Sequence, residues 1–587
     1  MEKRLAIVDK QRCSPHTCAH ECIKFDPVNR MGGVGFHIGE DGKAAIGEDV
    51  TTQAHQICAK KCPFNAIKLV RLPQEAQSNP IHRYGENGFR LYNLPIPVMG
   101  KVVGLVGRNG IGKSTAVKIL SGIEFANLGE NEPDTTYQKL INHYKGTIAQ
   151  TYFEQLRDKK ITVAYKPQAI NFIPTQFQGT VQTLLEKAAS DQTRLQMVIE
   201  KLHLAPLLTQ DIQTLSGGEL QRVAIGATAT KTANVYIFDE PSSFLDIKQR
   251  IILAKFIREL ADEHTAVMVI EHDLIMLDYM SDVIHIIYGS QTAYGIVSQA
   301  KSAKAGINMY LDGYLKEENV QFRDHQIHFH TRQERSDKEQ ATLTQWPQLT
   351  KKQGSFTLTV KPGELQRKDV IGILGENGIG KTTFAKLLAG VEKPTDGTID
   401  LQTKISYKPQ HIDTQSEELV MNVLSTAFEK FEHILVKPLQ LDKIALQPLN
   451  SLSGGQLQNV AIAYCLSQEA NLYVLDEPSA YLDTEQRLVV SKILKDFAVE
   501  NGKTALIIDH DLLFIDYLSD KLLVFEGEPA KSGHVMGPFG LQEGMNTFLQ
   551  DVQLTFRRDE QTNRPRANKA HSQMEQEQIQ KNELYKI

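Results

Sequence analysis

Two phosphate-binding motifs, 268 residues apart, constrain the fold of this chain more than any other feature of its sequence. Residues 107–114 read GRNGIGKS and residues 375–382 read GENGIGKT, both of the form G-x-x-x-x-G-K-[ST]. Each motif follows an apolar, β-branched run and precedes helical sequence, which is the context in which such a loop binds phosphate. Apolar runs alternate with helical stretches throughout both copies. We therefore predict an α/β chain with two nucleotide-binding domains, each built on a mostly parallel sheet.

The residue types within the two motifs indicate their roles. Glycines let backbone N–H groups wrap the phosphates, the lysine reaches the β- and γ-phosphates, and the hydroxyl after it binds Mg²⁺. In the first copy the predicted ATP-binding residues are Gly107, Asn109, Gly110, Gly112, Lys113, Ser114 and Thr115. In the second copy they are Gly375, Asn377, Gly378, Gly380, Lys381, Thr382 and Thr383. Ser114 and Thr382 are also predicted ligands of Mg²⁺.

Two further apolar strands in each copy end in polar residues suited to ATP hydrolysis. The first ends in an acidic pair, whose aspartate suits Mg²⁺ and whose glutamate suits polarising the attacking water. These pairs are Asp239 with Glu240 and Asp476 with Glu477. The next strand ends at His272 or His510, where an imidazole can contact the γ-phosphate. A histidine at a strand end is usually structural, but its recurrence in register favours a catalytic role.

Aromatic residues precede each phosphate-binding motif. Tyr84 and Phe89 lie within HRYGENGF, and Phe356 lies within QGSF. We predict that they stack on adenine, although ordinary core packing would account for each of them equally well.

Segments downstream of each motif resemble the signatures of ABC ATPases. LSGGELQR at residues 215–222 and LSGGQLQN at residues 452–459 resemble the ABC signature, and SFLD at 243–246 and AYLD at 480–483 resemble D-loops. The signature opens a helix, whose N-terminal N–H groups suit an anion. The resemblance implies that the two domains pack head to tail, and that the signature of one domain contacts the γ-phosphate held by the other.

Two composite ATP sites follow from this resemblance. Each joins the catalytic residues of one domain to the signature of the other. The implied catalytic residues are Gln168, Glu240 and His272 in the first domain and Gln410, Glu477 and His510 in the second, and both glutamines are also implied ligands of Mg²⁺. The signature residues implied to bind ATP are Ser216, Gly217, Gly218, Ser453, Gly454 and Gly455.

The spacing of the repeated motifs locates an insertion in the first copy. The signature serines lie 237 residues apart, 31 fewer than the phosphate-loop lysines, and 26 of these 31 residues fall between Lys113 and Gln168. We place the insertion at about residues 130–160 and expect helices near residues 136–144 and 148–156. A tolerated surface loop is one interpretation. A partner-binding element on one domain is the other, and we favour it.

Five of the six cysteines lie within the first 62 residues, which favours a metal site over disulfides in an intracellular chain. Their pattern resembles that of two-cluster ferredoxins, in which the fourth cysteine of each run binds the other cluster. One implied ligand set is complete: Cys13, Cys18, Cys22 and Cys62. The other has lost three cysteines, and its positions are Asp26, Thr52, His55 and Cys58. We predict one [4Fe–4S] cluster on the complete set; zinc on these four cysteines, or a metal on Asp26, His55 and Cys58, are the alternatives.

Composition limits the remaining classes of function. The net charge of −5 gives no general affinity for nucleic acid, so any such contact must be local. No stretch of about 18 apolar residues occurs, and the N-terminus lacks the apolar core of a signal peptide. We therefore expect a cytoplasmic chain that makes no membrane contact.

Almost the whole chain resembles the ABC-E family of ribosome-recycling ATPases, also called the RNase L inhibitor family, in its archaeal form. The segments that carry the resemblance are RLAIVDK with the cysteines, HRYG–LPIP, GRNGIGKST, DEPSSFLDIKQR, GINMYLDGYL, ENVQFRD, GENGIGKTTF, DEPSAYLD and TFRRD–RPRANK. The resemblance implies that closure on ATP swings an iron–sulfur domain against a bound release or rescue factor and splits the ribosome. It further implies contacts with protein and rRNA of the small subunit, contacts with initiation factors, and a monomeric chain. The family carries two clusters, whereas this chain keeps cysteines for one.

The motifs and the resemblance together divide the chain into six segments. They are a ferredoxin-like α+β iron–sulfur domain at 1–72, nucleotide-binding domains at 73–288 and 341–554, hinges at 289–340 and 555–569, and a Gln/Glu-rich tail at 570–587 that we expect to be disordered. The second hinge carries a basic strip, which either is solvated or meets rRNA phosphates. Its residues are Arg557, Arg558, Arg564, Arg566 and Lys569.

Other functions fit parts of the pattern. A divergent paralogue that binds ribosomes and regulates translation without splitting them would fit the incomplete second ligand set. A soluble ATPase subunit of a transporter is a weaker alternative, because the cysteine domain and the fused ATPase domains argue against it. A ferredoxin-like electron carrier is weaker still, because no flavin or haem motif accompanies the cysteines.

Overall fold

The structure, a computed structural model, describes residues 4–10, 12–73, 76, 79–130, 136–324, 326–327, 329, 341–399, 403–410 and 415–586. These residues form a small N-terminal domain, two α/β lobes and a hinge region made from two separate segments. None of their helices combines the length and the apolar character needed to cross a lipid bilayer.

The N-terminal domain is a small α+β unit. Its outer strands, Arg4–Val8 and Ile67–Arg71, pair antiparallel, and a short hairpin pairs His37–Ile38 with Ala44–Ala45. Three short helices lie between them: Glu21–Lys24, Pro27–Arg30 and Gln56–Lys61. The domain encloses an apolar core of its own, which includes Ala6, Val8, Phe36, Ile46 and Cys58.

The first lobe is built around a sheet with parallel central strands, as the sequence predicts. From edge to edge its strands are His82–Arg83, Arg90–Tyr92, Tyr294–Val297, Val283–Ser290, Val102–Val106, Ala266–Ile270, Val235–Asp239 and Val163–Lys166, with Lys301–Ser302 paired to Val283–Ser290. The strands that lead to the phosphate loop, the acidic pair and the histidine are buried at every residue. The lobe's helices are Lys113–Leu120, Gln138–His143, Ile148–Arg157, Ile173–Gln176, Val181–Ala188, Gln192–Lys201, Gly217–Ala229, Ile247–Leu260 and Leu274–Met280.

The second lobe repeats this architecture, which confirms the predicted α/β class. Its sheet runs Leu349–Gln353, Phe356–Val360, Ser532–Gly540, Lys521–Glu528, Val370–Leu374, Thr504–Ile508, Leu472–Asp476 and Ile405–Lys408, and Thr342–Trp346 pairs separately with Gly363–Gln366. Its helices are Lys381–Leu388, Val420–Val423, Ser425–Lys430, Gly454–Ser467, Thr484–Glu500, Leu512–Leu518 and Leu541–Val552, with a π-helix at Glu432–Val436.

The insertion in the first lobe is a pair of helices, Gln138–His143 and Ile148–Arg157; residues 131–135 lie outside the described residues. Their apolar faces join the core of the lobe, where Tyr152 and Phe153 are buried. The hydroxyl of Tyr152 also donates to the carbonyl of Leu120 at 2.6 Å. The pair is therefore packed firmly against the lobe.

The first lobe extends past residue 288, where the sequence led us to end it. Strand Tyr294–Val297 lies within the main sheet because it pairs with both Arg90–Tyr92 and Val283–Ser290. Only after it does the chain form hinge elements, namely helix Ala303–Asp312 and a hairpin of Tyr314–Leu315 with Val320–Gln321. The predicted boundary at residue 288 was misplaced because no change in amino-acid composition marks the end of the lobe.

The C-terminal segment is folded, so the expectation of disorder over residues 570–587 is wrong. Residues Gln573–Lys581 form a helix, and Tyr585 behind it is only 1% exposed. Arg558 donates to the Tyr585 hydroxyl at 2.5 Å, and this hydroxyl also donates to Asp516. The polar composition of the segment conceals these few anchoring residues.

The basic strip is largely paired with carboxylates, so the expectation of a solvated cationic surface is also wrong. Strands Phe556–Arg558 and Pro565–Ala567 form a hairpin between the lobes. Arg564, which is fully buried, donates to Asp278 of the first lobe at 2.9 Å, and Arg558 donates to Asp516 of the second lobe at 2.8 Å. Buried guanidinium groups require such partners. The hairpin therefore links the two lobes by charge pairs.

Candidate ATP sites and cysteine site

Each phosphate loop joins a buried strand to a helix in the same way. The last glycine of the loop, Gly112 or Gly380, has a left-handed backbone (φ 93° and 96°). A Cβ atom at Gly112 would lie 2.6 Å from the ring of Phe89, and one at Gly380 would lie 3.0 Å from the ring of Phe356. Only glycine fits both the conformation and the space. Phe89 and Phe356 therefore occupy equivalent positions beneath the two loops.

The two loop lysines are buried and donate to carbonyls of their own loops. Lys113 Nζ lies 2.8 Å from the oxygen of Gly107, and Lys381 Nζ lies 2.9 Å from that of Gly375. Burial lowers the pKa of both lysines, to about 8 for Lys381, against the attraction of nearby carboxylates. An anion bound in the loop would favour the ammonium form, so both lysines suit phosphate binding.

The acidic pair of each lobe lies beside its phosphate loop. Ser114 Oγ donates to Asp239 Oδ2 at 3.2 Å. Burial and the charge of Glu240 raise the pKa of Asp239, and burial likewise raises that of Asp476. Both oxygens of Asp476 are buried and lack a well-formed hydrogen bond to any residue that the structure describes. Carboxylates in this state fit a divalent cation, which would supply the missing partner.

The structure brings the other predicted catalytic residues to the glutamate of each pair. Gln168 Nε2 donates to Glu240 Oε1 at 2.8 Å, and His272 Nε2 lies 3.3 Å from the same oxygen. In the second lobe the corresponding distances to Glu477, from Gln410 and His510, are 2.7 and 3.5 Å. Burial alone would raise the pKa of each glutamate, but the histidine, the lysine and the glutamine together lower it to about 2. Both glutamates are therefore ionised at physiological pH.

Two signature glutamines, which the sequence analysis missed, hold these glutamates in a strained conformation. Glu240 and Glu477 both have φ of 47°, a left-handed backbone that costs energy for a non-glycine residue. Gln221 Nε2 donates to the carbonyl of Glu240 at 2.8 Å and to that of Pro241 at 2.9 Å. Gln458 Nε2 donates to the carbonyl of Glu477 at 2.7 Å. The shared LSGGxLQ pattern was the signal that could have identified them.

A buried lysine supports each acidic pair from behind and was also missed. Lys166 and Lys408 are each 1% exposed, and burial lowers the pKa of both to about 8. Lys166 Nζ donates to the carbonyl of Asp239 at 3.0 Å, and Lys408 Nζ to that of Asp476 at 2.7 Å. Both precede the predicted glutamines within the repeated YKPQ segment, which was the available signal.

Each D-loop aspartate connects its own lobe to the phosphate loop of the other. One oxygen of Asp246 caps helix Ile247–Leu260, and the other accepts a hydrogen bond from the backbone N–H of Asn377 at 3.0 Å. Asp483 does the same for helix Thr484–Glu500 and Asn109, also at 3.0 Å. The lobes therefore meet head to tail through these reciprocal contacts.

Two ion pairs beside these contacts have opposite polarity. Arg108, in the first phosphate loop, donates to Glu485 beyond the second D-loop. Glu376, at the equivalent place in the second phosphate loop, accepts from Lys248 beyond the first D-loop at 2.7 Å. The phosphate loop is thus the cationic partner at one site and the anionic partner at the other.

The signature segments begin helices, as predicted, and pack against their own D-loops. Ser216 and Ser453 cap helices Gly217–Ala229 and Gly454–Ser467. A Cβ atom at Gly218 would lie 2.9 Å from the carbonyl of Phe244 in the D-loop, so the helix and the D-loop pack closely. Through the D-loop aspartate, each signature helix is coupled to the opposite phosphate loop.

Tyr84 lies at the edge of the first site. Its hydroxyl is 3.1 Å from the hydroxyl of Thr115, next to the phosphate loop, and donates to Glu124 at 3.0 Å. The residue is 45% exposed, which leaves one part of the ring open to a base. Phe89, by contrast, supports the loop from below.

The four cysteines of the complete set line one cavity in the N-terminal domain. Its walls include Cys13, Cys18, Cys22 and Cys62. Burial and the neighbouring thiols, Cys62 first, raise the pKa of Cys22 to about 11. The backbone N–H of Ala44 points at Cys13 Sγ, 3.4 Å away. A cavity lined by four thiols, with a backbone donor aimed at one sulfur, fits a cationic iron–sulfur cluster.

Of the other four positions, Asp26, Thr52 and His55 are held by hydrogen bonds, and Cys58 lies in the apolar core of the domain. Asp26 Oδ1 accepts from the N–H of Val28 at 2.7 Å, and its Oδ2 accepts from the N–H of Phe36 at 2.6 Å. His55 Nε2 lies 3.4 Å from Asp26, and its Nδ1 accepts from the N–H of Thr52 at 3.0 Å. Cys58 is fully buried, and burial with the charge of Asp26 raises its pKa to about 12. Within the described residues, no three His, Cys, Asp or Glu side chains are arranged to hold a single metal ion.

Comparisons with known proteins agree with this geometry over the whole chain. A profile for ABC transporters matches residues 97–243 and 356–480, and one described as a possible Fer4-like domain in RNase L inhibitor matches residues 4–33. An uncharacterized ABC transporter ATP-binding protein of Methanocaldococcus jannaschii is 46% identical over 100% of this chain and 98% of its own length. The translation initiation factor RLI1 of Saccharomyces cerevisiae is 41% identical over 98% of this chain and 97% of its own.

Two solved structures extend the agreement to the fold. A model of ribosome-bound archaeal Pelota and ABCE1 contains a chain that matches this one over 100% of both, with a TM-score of 0.92 and 47% identity. A complex of the archaeal ribosomal stalk protein aP1 with the ribosome recycling factor aABCE1 covers 87% of this chain and 99% of the other, with a TM-score of 0.83 and 49% identity.

Proposed function

The chain belongs to the ABC-E, or RNase L inhibitor, family of twin ABC ATPases, and we propose that it is an ATP-driven ribosome-recycling factor. It binds the small ribosomal subunit and splits ribosomes into subunits after termination or rescue. The observation that carries this proposal is the reciprocal contact between each D-loop aspartate and the opposite phosphate loop. Because each ATP site spans both lobes, ATP binding and hydrolysis close and open them, which supplies a mechanical stroke.

The residues of each site have defined roles in hydrolysis. Lys113 exchanges its loop carbonyls for β- and γ-phosphate oxygens, and Glu240 orients the attacking water and accepts its proton. His272 faces the γ-phosphate beside Glu240. The residues that would hold Mg²⁺ are Ser114, Gln168 and Asp239, and the ion would supply positive charge to offset that of the phosphates. In the second site these roles fall to Lys381, Glu477, His510, Thr382, Gln410 and Asp476.

The signature helices complete the opposite sites in this proposal. The N-terminal N–H groups of Gly217–Ala229 face the γ-phosphate held by Lys381, and those of Gly454–Ser467 face the one held by Lys113. Tyr84 stacks on adenine in the first site. Closure of the two lobes brings these groups to the opposite ATP site, so hydrolysis and closure depend on the same contacts.

The N-terminal domain carries one [4Fe–4S] cluster in this proposal, on Cys13, Cys18, Cys22 and Cys62. Anaerobically purified protein is expected to contain about four irons per chain with matching sulfide. Cys62→Ser should lose the cluster, whereas Cys58→Ser should keep it, because Cys62 lines the cavity of the complete set and Cys58 belongs to the other set of positions. Zinc in place of iron, or loss of iron in Cys58→Ser, would contradict the assignment.

The proposed partners follow from the family. The solved relatives are described with the ribosomal stalk protein aP1 and with Pelota on the ribosome, and others are named translation initiation factors. We infer contacts of the same classes for this chain: the small subunit, through protein and rRNA, a release or rescue factor, and initiation factors. The chain acts as a monomer in the cytoplasm.

A subunit-splitting assay tests the proposal. Wild-type protein with ATP and a rescue factor should convert ribosomes to subunits, and a non-hydrolysable ATP analogue should hold it on small subunits during co-sedimentation. Failure to associate with ribosomes under either condition would overturn the proposal. Association without splitting would favour a translation-regulating paralogue, the alternative that the substituted positions Asp26, Thr52 and His55 support.

A further inference from the structure

The N-terminal domain is joined to the first lobe through the side chain of Asn87. This residue lies in the loop between strands His82–Arg83 and Arg90–Tyr92 and is 1% exposed. Its Nδ2 donates to the carbonyls of Ala6 and Ile46 at 3.1 and 2.9 Å, and its Oδ1 accepts from the N–H of Ile46 at 2.9 Å. Its carbonyl accepts from the N–H of Val8 at 2.9 Å. Asn87 thus belongs to the first lobe in sequence but makes these four hydrogen bonds with the N-terminal domain.

The loop that carries Asn87 also borders the first ATP site. Tyr84 and Phe89 lie at its two ends, and the N–H of Tyr84 donates to the carbonyl of Phe89 at 3.0 Å. Phe89 packs under Gly112 of the phosphate loop, and the Tyr84 hydroxyl lies beside Thr115. Asn87 is therefore connected to the phosphate loop by a short, closed loop.

A second contact connects the same domain to the same phosphate loop. Lys68 Nζ donates to Thr292 Oγ1 at 3.1 Å and to the carbonyl of Gln291 at 3.2 Å. The N–H of Thr292 in turn donates to the carbonyl of Gly110 at 2.8 Å. Lys68 is paired in register with Ile7, between the two residues of that strand, Ala6 and Val8, that bind Asn87. Both contacts therefore act on one two-stranded sheet.

We propose that these two contacts make the N-terminal domain respond to nucleotide in the first ATP site, and that Asn87 and Lys68 are the positioning residues that transmit the response. Nucleotide in the second site acts on the domain through closure of the lobes. The inference rests on the ATP-driven motion proposed above and specifies which site directs it.

Energy transfer within the full-length chain tests this inference without ribosomes. A donor is placed at Glu40 of the N-terminal domain and an acceptor at Glu500 of the second lobe, both exposed positions, by unnatural amino acids. Lys381→Met restricts binding of a non-hydrolysable ATP analogue to the first site, and Lys113→Met restricts it to the second. We expect the analogue to change the transfer efficiency in Lys381→Met at least about threefold more than in Lys113→Met. Equal changes would overturn the inference.

The positioning residues are tested in the Lys381→Met background. Asn87→Ala and Lys68→Met should each reduce the change in transfer efficiency by about half or more, with analogue affinity within about twofold. Lys60→Met, an exposed lysine of the same domain, should leave the change intact. Retained cluster absorbance shows that the domain is folded; if Asn87→Ala loses it, Lys68→Met alone decides, and an unchanged response there refutes the role. Because the readout needs no ribosome, a chain that splits ribosomes but lacks this site preference contradicts only the inference.

Discussion

Replacing Gln221 by methionine should slow ATP hydrolysis at the first site by loosening the catalytic glutamate. The fully buried amide donates to the carbonyls of Glu240 and Pro241. Loss of a partner costs a buried carbonyl about 1–3 kcal/mol, and because the Glu240 carbonyl keeps only a long hydrogen bond from the N–H of Ser243 at 3.4 Å, the two carbonyls lose at most about 2–6 kcal/mol. The buried Oε1 of Gln221 has no hydrogen-bond partner among the described residues, and its removal returns about 1–3 kcal/mol. Methionine fills a similar volume, so the net local cost is about 1–3 kcal/mol.

This cost falls on a residue whose left-handed backbone needs external support. Once Glu240 relaxes, its carboxylate moves away from the attacking water, and a displacement of about 1 Å can reduce the rate by about 10²-fold. Single-turnover hydrolysis in a Glu477→Gln background isolates the first site and does not require the lobes to reopen. We expect the rate in Gln221→Met to fall at least about tenfold, with nucleotide affinity retained.

The second lobe provides the matched control. Gln458 donates to one carbonyl, that of Glu477. The same carbonyl also accepts from Lys408 Nζ at 3.3 Å, so Glu477 keeps an anchor when the amide is removed. Gln458→Met in a Glu240→Gln background should therefore reduce the rate less than Gln221→Met does. If the hydrolysis rate of Gln221→Met is undiminished although its thermal unfolding temperature is measurably lowered, the idea that this amide positions Glu240 is refuted.

Four further outcomes follow from the same contacts. Glu240→Gln and Glu477→Gln should each bind ATP but lower the hydrolysis rate at the altered site by about 10²–10⁴-fold, measured by single-turnover assays, and stall the lobes closed. Because both glutamates have a pKa of about 2, they stabilise the fold fully above about pH 4.5 and lose this contribution as the pH falls toward 2, so acid unfolding of either glutamine variant should show a smaller loss of stability over that range than wild type. Asp278→Asn leaves the buried Arg564 without its carboxylate, while Arg566 keeps Asp559 at 3.4 Å, and it should destabilise the chain by about 3–5 kcal/mol in denaturant titrations; no change would mean that the hinge pairs are not formed in solution. Arg108→Glu should weaken ATPase activity by repelling Glu485, and Glu485→Arg added to it should restore activity; a double variant as impaired as the single one would disprove the pairing.

The structure brings together those predicted site residues that lie in continuous segments, and their roles stay predictions. The glycine pattern around Lys113 and the acidic pair at Asp239 are each set by local backbone geometry, so a short motif specifies them. The fold class followed equally well, because buried parallel strands are continuous apolar runs. Gln221 was missed because its contact depends on how a helix packs against a distant turn.

Long-range pairing explains the errors in the hinge. Arg564 and Asp278 are separated by 286 residues, and nothing local to the arginine indicates a buried carboxylate. When the carboxylate partners are distant in sequence, a basic segment is interpreted as a solvated surface. The C-terminal segment was predicted wrongly for a related reason. Tyr585 anchors it, but its other residues are mostly polar, so its average composition does not reveal the anchor.

The opposite polarity of the two interlobe ion pairs makes each lobe a poor partner for its own copy. Two first lobes facing each other would oppose Arg108 to Lys248, and two second lobes would oppose Glu376 to Glu485. The two lobes are therefore not interchangeable. Neither lobe can replace the other in a symmetric dimer, because like charges would then face each other. The complementary lobe is tethered in the same chain at high effective concentration, so closure occurs within one molecule and not between two.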